Sequence, residues 1–311
     1  MFFSVAGIEV NPLVPPLVAM AVSFVTSMGG VSGAFLLLPF QMSFLGYTAP
    51  SVSATNQLFN IVAIPSGVYR YVREGRMVWP LTWVVVAGTL PGVLAGAIIR
   101  VRWLPDPGSF KLFAAAVLGY VGLKMVCDLL GACRSMGKGA AEERFRTLVA
   151  AHRERGGSGD LPGVRVVHCS LRSVSYDFYG ETHTFSVPGV FALSLAVGVV
   201  GGVYGIGGGS IVAPFFVTFL GLPVYTVAGA ALMGTFVTSV AGVAFYQAIA
   251  PLYPHLSVGP DWLLGALFGL GGMVGMYLGA RCQKLVPARR IRWMLAAVIV
   301  FTAAKYVWSA L

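Results

Sequence analysis

The apolar positions of this chain gather into runs long enough to cross a bilayer, separated by short polar turns. Uninterrupted runs at about residues 52–69, 79–100, 110–130, 224–249, 260–281 and 291–311 match the ~20 residues a membrane helix needs. Two longer tracts, 12–46 and 188–222, are equally apolar but broken by glycine. The first break reads Gly29-Gly30-Val31-Ser32-Gly33 and the second Gly205-Ile206-Gly207-Gly208-Gly209-Ser210. Residues 132–187 interrupt the pattern and hold most of the acidic side chains. There, 138–153 predicts a short amphipathic helix, Gly156-Gly157-Ser158-Gly159 a flexible turn, and the alternation over 171–187 a β-hairpin around Tyr179-Gly180-Glu181.

The two broken tracts are related. Residues 39–46 read PFQMSFLG and residues 214–221 read PFFVTFLG, so a shift of 175 positions superposes them. The same shift places Gly30 on Gly205, Gly67 on Gly242 and Tyr71 on Tyr246. With a small further gap, the ladder Gly88, Gly92, Gly96 falls on Gly271, Gly275, Gly279. Such ladders let helix backbones approach closely in lipid. The expected organisation is a first membrane repeat over 1–131, a polar insert over 132–187 and a second membrane repeat over 188–311.

Composition sharpens this reading. Only 10% of residues are charged and 57% are hydrophobic, against about 25% charged in soluble domains. An all-α integral membrane protein is expected. No Lys or Arg precedes the first apolar run, so the charged start of a cleaved signal peptide is missing. The formal net charge of +10 does not call for nucleic acid, because the basic residues sit at helix ends and in the insert. Cys127, Cys133, Cys169 and Cys282 form no CxxC pair and have no zinc-like company. No metal or other cofactor is expected.

Charge also bears on topology. If each broken tract is a re-entrant helix pair, each half has three further spans and the second half is inverted. Arg70, Arg73, Arg76, the insert and the cluster Arg281–Arg292 then share one face, leaving Arg100, Arg102 and Lys111 in loops of the other. The positive-inside rule makes the shared face, and the insert, cytoplasmic.

A helix restarting after each break, near Ala34 and near Ser210, offers backbone N–H groups and a partial positive charge to an anion. No carboxylate lies in mid-membrane to pair with a cation. The intramembrane polar groups are neutral, densest at Thr55-Asn56-Gln57. The candidate substrate-binding residues are Gly30, Ser32, Gly33, Thr55, Asn56, Gln57, Asn60, Tyr204, Gly207, Gly208, Gly209, Ser210 and Thr235. The plainer role for the amides and hydroxyls is hydrogen bonding between helices. Broken helices from two repeats meeting at a midplane site are the signature of a secondary transporter.

The glycine-rich breaks, Pro39-Phe40 and Pro214-Phe215 with their Leu45-Gly46 and Leu220-Gly221 ends, the small-residue helices that follow, and the basic turn Tyr69–Arg76 together resemble the sulfite exporter TauE/SafE family. The resemblance covers both membrane halves and not the insert. It implies export or uptake of sulfite, an organosulfonate such as sulfoacetate, or another small organic anion across the cell (inner) membrane. Ser32 and Ala34 stand where the family usually has glycine, and the second half offers Gln247 to His255 instead of a basic turn.

Other readings fit less well. Gly30-Val31-Ser32-Gly33 matches the G-x-S-G motif of an intramembrane serine protease with Ser32 as nucleophile. That chemistry needs a base in reach, and His152, His168, His183 and His255 all lie outside the apolar runs. The chain is therefore not expected to be an enzyme. A channel, or a transporter for a carboxylate, remains the alternative, with the small anion and the lipid bilayer as partners.

Overall fold

A computed structural model of the chain describes residues 1–28, 31–73, 75, 77–130, 164–178, 181–220, 222, 224–282 and 288–310. The fold is mostly helical. First come α1 (Val14–Met28) and α2 (Ala34–Ser43), then the longer α3 (Ser51–Arg73), α4 (Trp79–Arg102) and α5 (Pro107–Leu130). After the insert the order recurs: α6 (Val187–Tyr204), α7 (Val212–Phe219), α8 (Val224–Ile249), α9 (Trp262–Cys282) and α10 (Ala288–Ala310). The second helix restart falls at Val212, two residues later than the sequence predicts, because Gly208–Ile211 form turns. The amphipathic helix expected at 138–153 and the turn at Gly156–Gly159 lie outside the described residues.

Among the described residues, five helices are long and apolar enough to cross a membrane: α4, α6 and most of α5, α8 and α9. The run 52–69 belongs to α3, which is long enough at 23 residues but does not reach the same apolarity. The reason is its content of Ser51, Ser53, Thr55, Asn56, Gln57 and Asn60, all fully buried inside protein. A polar span of this kind is tolerable where neighbouring helices, not lipid, surround it. By contrast α2 and α7, at 10 and 8 residues, are only about 15 and 12 Å long and do not traverse a ~30 Å core.

The glycine ladders set the packing. A methyl added at Gly88, Gly92 or Gly96 of α4 would collide with the backbone of Phe191, Leu195 or Val199 of α6. One added at Gly271, Gly275 or Gly279 of α9 would collide with the backbone of Pro16, Met20 or Phe24 of α1. Each partner in the first set lies 175 positions after its counterpart in the second. The pair α3–α8 shows the same exchange: Gly242 packs on Gln57, and Gly67 on Leu232, again 175 positions apart.

Contacts at the two ends give helix direction. At one end a short N-terminal hairpin, β1 (Phe2–Phe3) with β2 (Ile8–Glu9), is tied down: Ser257 donates to the Val5 carbonyl at 2.8 Å and the Ala6 amide to Asp261 at 3.3 Å. The Ser51 amide donates to the Ser257 carbonyl there, at 2.8 Å. The starts of α1, α3 and α9 and the close of α8 therefore share this hairpin end.

At the opposite end lies an antiparallel sheet of β3 (Arg165–Cys169), β4 (Ser173–Phe178) and β5 (Glu181–Ser186), in the order β3-β4-β5. Strands β4 and β5 pair from Ser173–Ser186 to Phe178–Glu181; β3 is an additional strand that the sequence pattern does not announce. The sheet docks through Tyr176, whose hydroxyl is 2.9 Å from that of Thr226 on α8, and through the Val164 amide, which donates to the Gly75 carbonyl at 2.9 Å. Ser186 caps α6 by accepting from the Gly189 amide. The ends of α3 and the starts of α4, α6 and α8 gather at this sheet end.

Candidate functional site

The two glycine breaks meet in the middle of the bundle, and α3 is what joins them. The Asn56 amide nitrogen donates to the Ala34 carbonyl at 3.0 Å and to the Gly205 carbonyl at 3.1 Å. One turn on, the Asn60 amide nitrogen donates to the Ile206 carbonyl at 2.9 Å and to the Ser239 hydroxyl at 3.3 Å. Ser32 donates to the Asn60 amide oxygen at 2.6 Å. Positions 56 and 60 stand on one face of α3, so a single helix face grips both breaks. Asn56 is itself steadied by Gln41 of α2, at 3.3 Å.

Gly205 ends α6 in the left-handed region at φ 76°, and Gly207 follows at φ 78°, conformations that favour glycine. An added methyl at Gly205 would strike Ser53, at Gly207 Ser239 and Thr235, at Gly208 Thr89, and at Gly209 the Ala231 backbone and Thr235. Gly33 is hemmed by Ser23 and Phe59 in the same way. The Gly208 amide donates to Thr238 at 3.1 Å. Ser210 donates to the Ile206 carbonyl at 2.6 Å and lies 3.4 Å from the Thr235 hydroxyl. Tyr204 is fully buried; its ring stacks on Phe35 at 5.9 Å and its hydroxyl donates to the Phe35 carbonyl at 3.4 Å.

Most of the residues singled out from the sequence thus converge: Ser32, Gly33, Asn56, Asn60, Tyr204, Gly207, Gly208, Gly209, Ser210 and Thr235. Gly30 lies outside the described residues. Thr55 points away toward the hairpin end, where its hydroxyl accepts from the Asp261 amide and meets the Tyr47 hydroxyl, each at 2.9 Å. Gln57 faces Gly242 with neither polar atom of its amide partnered. Thr89 and Gln41 join the site without having been singled out as ligands. Thr89 follows Gly88 of the α4 ladder, and that adjacency was the available signal.

In this conformation the centre is closed. The donors of Asn56 and Asn60 are spent on carbonyls and the Ser239 hydroxyl, and the first-turn amide of Ala34 is taken by Ser32 at 3.3 Å. A cavity of about 20 Å³ beside both breaks, lined by Thr26, Val31, Phe35, Val121, Met125, Ser210, Ile211 and Ile299, is room for about one water. Ser32 has an asparagine amide where a nucleophile would need a base.

One expectation is overturned. The charge pattern puts Arg100 among loop cations, but it sits in the last turn of α4 with none of its surface exposed. Its side chain turns inward because Phe110, at the start of α5, offers a ring face 3.8 Å from the guanidinium carbon.

Apolar spans of this number, enclosing a polar centre built from broken helices, define a multi-pass membrane protein. The chain matches the family model TauE, described as "Sulfite exporter TauE/SafE", over residues 16–306, and it belongs to that family. No curated protein and no solved structure matches it.

Proposed function

We propose that this protein is a secondary transporter for a small sulfur-containing anion, sulfite or an organosulfonate such as sulfoacetate, working by alternating access between two inverted five-helix halves. The observation that carries the reading is the double grip of Asn56 and Asn60 on both breaks. Their N–H groups now serve carbonyl oxygens and the Ser239 hydroxyl. An oxyanion offers the same kind of acceptor with a full charge, and charge-assisted hydrogen bonds are about twice as strong. Arrival of the anion exchanges protein acceptors for cargo oxygens and frees the breaks to separate. The released N-termini of α2 and α7 then add their partial positive charge.

Inversion is supported by the exchanged partners 175 positions apart and by direction: α3 and α9 run from the hairpin end to the sheet end and α8 and α4 the other way, while α1 starts from the hairpin end and α6 from the sheet end. In this reading α1–α2 and α6–α7 are re-entrant pairs entering from opposite faces. Arg70, Arg73 and Arg281 lie at the sheet end, which makes that end cytoplasmic by the positive-inside rule and the membrane the inner membrane. A proton carried on the anion supplies coupling, since among the described residues no carboxylate relay lies near the breaks.

The test is thermal unfolding of the purified protein with sulfite, sulfoacetate, taurine, isethionate, thiosulfate, sulfate and simple carboxylates. A ligand of the folded state raises the melting temperature by mass action. A sulfur oxyanion or sulfonate stabilises the parent and leaves Asn56→Ala unchanged. Stabilisation by carboxylates alone replaces the cargo. Unsaturable flux in vesicles replaces the transporter with a channel.

A further inference from the structure

Arg100 carries a feature that helix packing does not explain. It is wholly buried, yet its Nε and Nη2 have no hydrogen-bond partner. Only Nη1 is used, donating to the Leu104 carbonyl. A guanidinium presents its donors along flat edges, and Nε with Nη2 forms one complete edge, spaced for two oxygens of a carboxylate, sulfonate or sulfite. The unused part of the side chain is thus one intact recognition fork.

A cation at the C-terminus of α4 is favoured by the helix dipole, but Arg102 already meets that need from an exposed position. A buried charge without full pairing is costly and persists where something repays it. Asp106, the nearest acidic residue in sequence, is occupied elsewhere: it accepts from the Ser109 amide at 2.9 Å and hydroxyl at 3.1 Å.

Packed aromatic rings connect the position to the breaks. The guanidinium lies on Phe110, whose ring centre is 6.4 Å from that of Tyr204, and Tyr204 stacks on Phe35. Arg100 is therefore one aromatic ring away from the residue that adjoins the second break. On its other side, Ala97 and Val101 pack with Tyr246 and Val258, and the Tyr246 hydroxyl donates to the Gly202 carbonyl at 3.5 Å, just before that break.

We propose that Arg100 forms an oxyanion-selecting station at the hairpin-end mouth, its Nε–Nη2 edge taking two oxygens of the cargo as it moves between that mouth and the paired breaks. The route rests on the transport reading; the binding edge does not.

The test measures sulfite and isethionate binding to the purified full-length protein by titration calorimetry, with acetate in a parallel arm and chloride as control. Four proteins are compared: parent, Arg100→Lys, Arg100→Gln and Asn60→Ala. Lys keeps the charge and loses the fork. Tenfold or greater weakening in both Arg100 variants, with melting temperatures near the parent's, supports the station. If Arg100→Gln fails to fold, Arg100→Lys alone decides. Parental affinity in a folded Arg100→Lys or Arg100→Gln overturns the proposal and leaves a structural guanidinium, and so does equal weakening for chloride. If Asn60→Ala loses binding while the Arg100 variants keep it, the station falls and the central reading stands; the reverse pattern sinks the central reading alone. The arm that weakens most, sulfonate, sulfite or carboxylate, identifies the oxyanion class.

Discussion

The side-chain amide of Asn60 donates to the main-chain carbonyl of Ile206, 2.9 Å away and 146 positions later in the chain. That bond crosses from the first half of the molecule to the turn that interrupts the second half's opening helix. It makes one residue answerable for the geometry of both breaks, because the same amide accepts from Ser32.

Replacing Asn60 with Ala removes these bonds and leaves the buried Ser32 hydroxyl without its acceptor, while the Ile206 carbonyl keeps the Ser210 hydroxyl. The expected cost is about 2 kcal/mol, together with loss of anion flux. Unfolding in detergent and uptake into vesicles measure the two effects separately. A variant as stable and active as the parent refutes the clamp.

Gly275→Ala puts a methyl into the Met20 backbone, and Gly92→Ala puts one 2.5 Å from the Leu195 carbonyl oxygen. Overpacking of this kind costs about 1–3 kcal/mol. Both variants should lose the monodisperse peak in fluorescence size-exclusion chromatography. Gly119→Ala, which meets no atom within 4 Å, should run like the parent.

Burial pushes the Tyr176 hydroxyl up to about 12. The folded state thus holds this proton more tightly than the unfolded chain does. The resulting stability is fully present below the ordinary tyrosine value near 10 and is lost as pH rises from there through about 12. Proteolytic exposure of residues 165–186 should stay constant across neutral pH and increase only in that alkaline window. Tyr176→Phe, which loses the Thr226 contact, should expose the sheet at neutral pH.

Ser32 should not react with a fluorophosphonate probe. Its hydroxyl donates to an amide oxygen, which cannot accept a proton as an imidazole does. Mass spectrometry of the labelled protein checks this, and an adduct at Ser32 would reopen protease chemistry.

The helix limits and the two breaks were legible in the sequence because lipid enforces a simple code: apolar length for spans, glycine where the backbone bends or touches. The Gly88–Gly96 and Gly271–Gly279 ladders announced close packing, but not that α4 would take α6 and α9 would take α1, since spacing within one helix does not name its neighbour. Asn56 and Asn60 were legible as unusual, whereas their acceptors are carbonyls some 150 positions away in sequence. Thr55 was misleading for the same reason: its neighbours Asn56 and Gln57 share its sequence position but not its helix face. Arg100 looked like a loop cation because an arginine ending an apolar run ordinarily snorkels to the surface; the ring of Phe110, ten residues beyond the end of the run, turns it inward.

The most extensive contacts of α1, α3, α4 and α5 are with α9, with α8 and α9, with α6, and with α10 respectively. A ribosome that has finished the first five helices has therefore threaded them into the bilayer without the surfaces they are shaped to meet. Asn56 and Asn60 can meet Ala34 and Ser32 by then, but their bonds to Gly205 and Ile206 must await the second half, so α3 carries unspent donors for the time it takes to make the remainder of the chain.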